Sequence, residues 1–301
     1  MTGELVRLNG VCKAFRGRVA VDDLSLSIDH GEVVALLGPN GAGKTTTLAL
    51  MLGHVRPTRG DVLLRGVSVA GDRRRALRAV GVVVDSPAFH DYLTGWENLA
   101  LLVSYAEVPD DAAMLDAVRF VGLDDRIHDR VGTYSHGMRQ RLALAQALVP
   151  APDLVLLDEP ADGLDPDGVV TMHGMIARLS GERGVAVVIA SHLLSEVERV
   201  CDRVLILDSG RLVFDGRWND DTGPERFRLE IDDWACAQPI VSRAGATVGG
   251  DGAIELAPGR EVADLVRALV EGGVRVSTIT RIRPTLADAY RRLTAKPESG
   301  A

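Results

Sequence analysis

Cysteine is scarce. The three residues, Cys12, Cys201 and Cys236, stand far apart, at no spacing expected of a zinc site, and an odd number argues against a disulfide framework. The simplest reading is reduced thiols in a cytosolic protein. Long apolar runs are missing: no stretch approaches the ~18 uncharged apolar residues that span a bilayer. The opening MTGELVRLNG carries Glu4 and no apolar core, so a secretory signal is not expected. Any membrane span must therefore come from another chain. Lysine is nearly absent, 3 of 34 basic residues against 31 arginines, and the net charge is −8. That balance gives no support to a general nucleic-acid-binding surface, and leaves room for a local basic patch. Glycine and proline, 32 and 13 residues, stay below the level of low complexity. With 46% apolar and 25% charged residues, the 301-residue chain reads as a globular protein of about two domains.

Residues 1–37 read as strands, including the alternating LSLSI (24–28) and the continuous apolar EVVALL (32–37). A Gly-rich turn follows, then a helix from about Gly43 to Leu52 and a short strand over DVLLR (61–65). Residues 73–150 carry mostly helical periodicity. From 153 strands and helices alternate: DLVLLDE, a helix to Leu179, VAVVIAS, a helix over 193–200, RVLILD, and a closing RLVFDG (211–216). Alternation predicts a parallel sheet with helices on both faces. The polar WNDDTGPER (218–226) marks a boundary. The remaining 218–301 reads strand (RFRLEI), strand (GAIEL), helix (REVADLVRALVEG), strand (VRVSTIT), helix (TLADAYRRL), a small α+β domain. Val262, Leu265, Val266 and Leu269 fall on one helix face. Thr285 and Asp288 form a capping box. The terminal KPESGA reads as disordered.

Gly38-Pro39-Asn40-Gly41-Ala42-Gly43-Lys44-Thr45 fulfils G-x-x-x-x-G-K-[ST] between a buried-type strand and an apolar helix. Glycines let successive N–H groups turn toward an anion, and the helix N-terminus adds partial positive charge. Lys44 then reaches β- and γ-phosphates, and the Thr45 hydroxyl suits Mg²⁺, a hard cation. Leu154-Val155-Leu156-Leu157-Asp158-Glu159 is an apolar strand ending in two acids. Asp158 fits a magnesium-holding acid. Glu159, one residue beyond, is placed to accept the proton of an attacking water. Alone, such a pair reads as a solvated strand end; beside a full phosphate loop the chemical reading is favoured.

Those motifs define a P-loop NTPase without saying which. Tyr134-Ser135-His136-Gly137-Met138-Arg139-Gln140-Arg141, with Ser135 23 residues before Asp158, resembles the LSGGQ signature of ABC-type ATPases. Ala161-Asp162-Gly163-Leu164-Asp165-Pro166 looks like the D-loop of that family, and Ala190-Ser191-His192 is similar to its switch histidine. Phe15 sits where the family places an aromatic residue. The resemblance covers about residues 4–216. It implies an α/β fold, a P-loop NTPase of ABC ATPase type with a mixed sheet core and a helical subdomain at about 85–150. The nucleotide-binding domain is expected over 1–217 and an accessory domain over 218–301. It implies that Phe15 stacks on adenine, and that Gly38, Pro39, Asn40, Gly41, Ala42, Gly43, Lys44, Thr45 and Thr46 bind the phosphates of ATP. Thr45, Asp85 and Asp158 would hold Mg²⁺, Glu159 would polarise water, and His192 would meet the γ-phosphate. Ser135, Gly137 and Asp165 would contact ATP held by the opposite protomer of a homodimer. The partner implied is an integral membrane permease, with the chain cytoplasmic and peripheral at the inner face of the membrane.

Three positions depart from the pattern. Asp85 stands where the family has Gln, His136 replaces the first signature Gly, and Met138 replaces Gln. Asp85 offers Mg²⁺ an oxygen or merely caps a turn. His136 adds positive charge near phosphate or points to solvent. An acid at 85 with a Y-S-x-G-M-[RK]-Q-R-L signature resembles the bacitracin-resistance and lantibiotic-immunity branch of drug exporters, which implies drug or antimicrobial-peptide export. The competing readings are a soluble ABC ATPase uncoupled from transport and an ATP-gated module with weak turnover. Residues 218–301 resemble appendages of bacterial exporter ATPases.

Overall fold

The computed structural model describes residues 3–84, 88–104, 111–217, 226–249, 252–257, 259–282 and 285–294. Backbone packing divides the chain into two units, Met1–Arg217 and Trp218–Ala301. The first opens with β1 (Glu4–Phe15), β2 (Arg18–Asp29), β3 (Val33–Leu37), α1 (Lys44–Met51), β4 (Arg59–Leu64), β5 (Val67–Ser68), α2 (Arg73–Ala76) and β6 (Val80–Val83). Three helices follow, α3 (Gly95–Ser104), α4 (Asp111–Phe120) and α5 (His136–Leu148). Then come β7 (Leu154–Asp158), α6 (Pro166–Arg183), β8 (Ala186–Ser191), α7 (Leu194–Val200), β9 (Arg203–Asp208) and β10 (Arg211–Gly216).

Two sheets form because two strand patterns are present. The half-polar β1 and β2 make an antiparallel sheet ordered β2-β1-β4-β5, while the apolar β3, β7, β8 and β9 belong to a second sheet ordered β10-β9-β3-β8-β7-β6. In that sheet only the β10–β9 pair is antiparallel. All five residues of β3 are buried, as expected of a central parallel strand. One face of the central sheet (Val34, Leu36, Leu156, Val188, Leu205) shares a core with Leu48 and Met51 of α1 and with Leu8, Leu24 and Leu64 of the antiparallel sheet. Helices on both faces, the expectation from alternation, therefore holds for only part of the surface: a β-layer shares one side with α1. The 73–150 stretch is likewise not all helical, since β6 pairs in parallel register with β7, Val80 opposite Leu154.

Because β3, β7 and β8 are parallel neighbours, their carboxyl ends share one edge of the sheet. Loops leaving them converge there, the usual place for a ligand in such sheets.

In the second unit, β11 (Arg226–Ile231), α8 (Trp234–Arg243), β12 (Ala246–Val248), β13 (Ile254–Leu256), α9 (Val262–Glu271), β14 (Val276–Ile282) and α10 (Leu286–Thr294) follow in order. The sheet runs β12-β13-β11-β14, all antiparallel, the split βαβ arrangement. Phe227, Leu229, Val241, Ile254, Leu265 and Leu269 fill its core, with Val262 partly buried against it. Thr285 and Asp288 bond reciprocally: the Asp288 N–H donates to Thr285 Oγ1 (3.2 Å) and the Thr285 N–H to Asp288 Oδ2 (3.0 Å). The capping box read from the sequence is formed.

Candidate active site

The loop after β3 turns on backbone that only glycine accepts without strain. At Gly38 a Cβ would lie 2.4 Å from the Leu207 carbonyl oxygen. At Gly43, which caps α1 with φ 108°, it would lie 2.6 Å from the Ala20 carbonyl oxygen. The loop is braced by Ala42 N–H donating to Pro39 O (3.0 Å) and Gly210 N–H to Ala42 O (3.0 Å). Lys44 is only 8% exposed. Its ammonium donates to the carbonyls of Gly38 (2.7 Å) and Pro39 (3.4 Å), so the cation lies along the inside of the loop.

The loop walls a cavity of about 730 Å³ together with Phe15, Asp158 and Glu159. Phe15 and Arg18 form the last pair of the β1–β2 hairpin, joined by Arg16 and Gly17 at φ 46° and 86°. Two positive φ values give the turn that matches strand twist, and opposed partners share a sheet face. Both side chains therefore reach the same cavity. Phe15 is 45% exposed, with the Lys13 ammonium 4.8 Å from its ring centre.

Thr45 Oγ1 lies 3.5 Å from Asp158 Oδ2, at the outer limit of a hydrogen bond. Two hard oxygen donors side by side match the ligand preference of Mg²⁺. Beyond Asp158 the backbone turns sharply. Glu159 has φ 48°, a left-handed conformation that costs a non-glycine residue about 1–3 kcal/mol. Its N–H donates to Ala190 O (2.9 Å), which holds the turn. The turn brings its carboxylate to His192 at the end of β8. His192 Nδ1 lies 2.8 Å from Oε1, and the His192 N–H donates to Oε2 at 3.4 Å. An ionised carboxylate only accepts, so Nδ1 carries the proton and Glu159 fixes the ring's tautomer and orientation.

Ser135 and Gly137 lie elsewhere. Ser135 caps α5, its Oγ accepting the Met138 N–H at 3.3 Å. That leaves first-turn N–H groups of α5 without intrahelical acceptors, an anion-facing arrangement. The preceding Tyr134 is buried and its hydroxyl donates to Arg126 O at 2.6 Å; burial raises its pKa above the usual phenol value. Asp165 caps α6, accepting the Gly168 N–H at 2.8 Å. His136 is exposed, and its Nε2 sits 3.0 Å from the carbonyl oxygen of Asp162, a residue that lines the phosphate-loop cavity.

Thus Phe15, the loop from Pro39 to Thr46, Asp158 and Glu159 share one cavity, and His192 joins through Glu159. Ser135, Gly137 and Asp165 do not line it. Asp85 lies outside the described residues. Arg18, Val19 and Val84 line the cavity without a sequence motif that marks them, and Asp162, from the D-loop-like segment, lines it without being singled out by the sequence. The available signal for Arg18 and Val19 is their position just past the Arg16-Gly17 turn, opposite Phe15.

A family model described as "ABC transporter" matches residues 21–162. The uncharacterized ABC transporter ATP-binding protein YhcH of Bacillus subtilis (strain 168) is 37% identical over 97% of this chain and 96% of its own. The bacitracin transport ATP-binding protein BcrA of Bacillus licheniformis is 31% identical over 96% of this chain and 97% of its own. The solved structure of cbiO1 from Clostridium perfringens, part of the ABC transporter complex cbiONQ, superposes with a TM-score of 0.66 at 25% identity. The superposition covers 71% of this chain and 88% of that one.

Proposed function

The chain belongs to the ABC transporter ATP-binding proteins, and from that premise we propose that it hydrolyses ATP to drive an exporter whose translocation path lies in a separate permease. ATP-binding subunits of this family hydrolyse ATP, form dimers and work with membrane permeases; among the described residues no helix is long and apolar enough to cross a membrane. The observation that carries the catalytic reading is the pair Glu159–His192, 2.8 Å apart at the ends of neighbouring parallel strands and at the rim of the phosphate-loop cavity. Phe15 stacks on the base, and the loop N–H groups from Pro39 to Thr46 and the Lys44 ammonium take the phosphates. Thr45 and Asp158 are the residues to hold Mg²⁺, with Asp85 as a third candidate. When bound, that ion neutralises charge on the phosphate oxygens. Glu159 orients a water whose oxygen attacks the γ-phosphorus. The bond to the bridging oxygen of the β-phosphate breaks, and the water proton passes to the Glu159 carboxylate. His192 fixes that carboxylate and meets the γ-phosphate. Ser135, Gly137 and Asp165, which do not line this cavity, serve the ATP of the opposite protomer, so ATP closes a homodimer and hydrolysis reopens it.

Two observations support drug or antimicrobial-peptide export: the Y-S-H-G-M-R-Q-R-L signature, and the near full-length similarity to a bacitracin transport ATP-binding protein. The function is tested by steady-state ATPase measurements on the purified chain beside Glu159→Gln. Turnover is expected to need Mg²⁺ and to fall by at least about 100-fold in the variant, the scale of losing a general base. An unchanged rate in Glu159→Gln would overturn the assignment. Coexpression with its permease should confer resistance to the exported compound, and Glu159→Gln should abolish that resistance.

A further inference from the structure

We propose that His136 is a positioning residue: its imidazole ties the N-terminus of α5 to the Asp162–Asp165 loop, so that two segments separate in sequence move as one surface. The Asp162 carbonyl oxygen accepts only, so Nε2, 3.0 Å away, carries a proton and donates. Nε2 is a donor in the neutral tautomer that fits here and in the imidazolium alike, so the tie survives protonation. The ring also packs against Gly163, where a Cβ would stand 3.3 Å from Nε2. Gly163 has φ 70°, open to glycine and disfavoured for a side chain. One residue along, a Cβ on Gly137 would stand 3.6 Å from Leu164 Cδ2, so the contact is two residues wide. The loop is continuous with the catalytic turn: the Asp162 N–H donates to Glu159 O at 3.1 Å, and the Leu164 N–H to Ala161 O at 3.2 Å. His136 therefore touches no reacting atom. It joins the first-turn donors of α5 to the loop that begins at Glu159. A glycine at position 136 would remove this hydrogen bond and the ring's packing on Gly163.

The inference rests on the reading of Ser135, Gly137 and the 162–165 loop as the face presented to the partner's ATP, and its test separates the two. His136→Ala removes the donor. His136→Gln keeps an N–H at the same number of bonds from Cα. Amide hydrogen exchange on each purified chain is the first readout. Exchange at Asp162 and Leu164 is expected to speed by about fivefold or more in His136→Ala and to return to within about twofold in His136→Gln, the scale of one net hydrogen bond. ATPase kinetics are the second. The Ala variant is expected to lose about five- to tenfold in kcat, with KM changed less than about twofold, and Gln to restore kcat. Unchanged exchange in His136→Ala overturns the proposal. So does faster exchange with wild-type kcat, or a kcat loss that Gln does not restore. The dimer reading has its own control, ATP-dependent dimerisation of Glu159→Gln with His136 intact. If that control fails, the dimer reading falls, while the exchange result still decides whether the tie exists.

Discussion

Gly43 lets one atom decide the fate of the phosphate loop. A Cβ there would sit 2.6 Å from the Ala20 carbonyl oxygen, on backbone at φ 108°. Neither the β2 backbone nor the start of α1 can yield without moving the loop. Gly43→Ala is expected to destabilise the first unit by about 2 kcal/mol or more, lowering its melting midpoint by about 4–8 °C, and to weaken ATP binding more than tenfold. Gly174, inside α6, is the control, because a Cβ there would meet nothing within 4 Å: Gly174→Ala should stabilise by about 0.5–1 kcal/mol. Calorimetry and nucleotide titration on both variants check the contrast. The loop is legible in the sequence because its spacing encodes a backbone path. The Asp158-Glu159 pair is legible because an apolar strand fixes where it ends. The turn at Glu159, with φ 48°, is not, since it depends on the N–H bond to Ala190 on a neighbouring strand. The partner of His136 is hidden for the same reason: Asp162 is 26 residues away, and only the fold brings them together.

At the scale of elements, strong periodicity is readable and short or interrupted pieces are not. The helix over Trp234–Arg243 escapes a sequence reading because Pro239 breaks its pattern, although Asp233 caps it by accepting the Cys236 N–H at 3.0 Å. The four-residue β6 and three-residue β12 are too short to show a period. The last helix, by contrast, is announced by its cap, which makes a quantitative prediction possible. The Thr285 N–H, then the Thr285 hydroxyl, with Arg291 and Arg226 nearby, hold the Asp288 carboxyl below its ordinary value against the opposing effect of burial. A carboxyl with a lowered folded pKa binds fewer protons in the native than in the unfolded state. Its stabilisation is present above the unfolded value and lost as pH falls through the folded one. Thr285→Ala should cost about 1 kcal/mol, seen as roughly fivefold faster exchange of first-turn amides in α10. Asp288→Asn should lose the same protection at neutral pH, and its difference from wild type should shrink as pH drops through the acid range. A difference independent of pH would mean that the charge of Asp288 is idle.

At the scale of the whole molecule, the distribution of the motifs matters more than any one of them. Lys44, Thr45, Asp158 and Glu159 surround one cavity, while Ser135 and Gly137 stand at the start of α5 and do not line it. If these groups serve one ATP, they must come from two chains, and mixing tests that without a structure of the dimer. Take Glu159→Gln in one chain and Ser135→Arg in another, each expected to be inactive alone. In a mixed dimer one site pairs the defective base with the defective signature, and the other pairs two intact halves. Random exchange makes about half the dimers mixed, each keeping one of two sites, so about a quarter of wild-type turnover should return on mixing if the sites act independently. Were all these groups to act on one ATP within a single chain, both variants would carry a defect in every site they own. Mixing would then return nothing at any ratio. Turnover against mixing ratio should peak at equal amounts, because the mixed dimer is most abundant there, and both pure ends should stay at background.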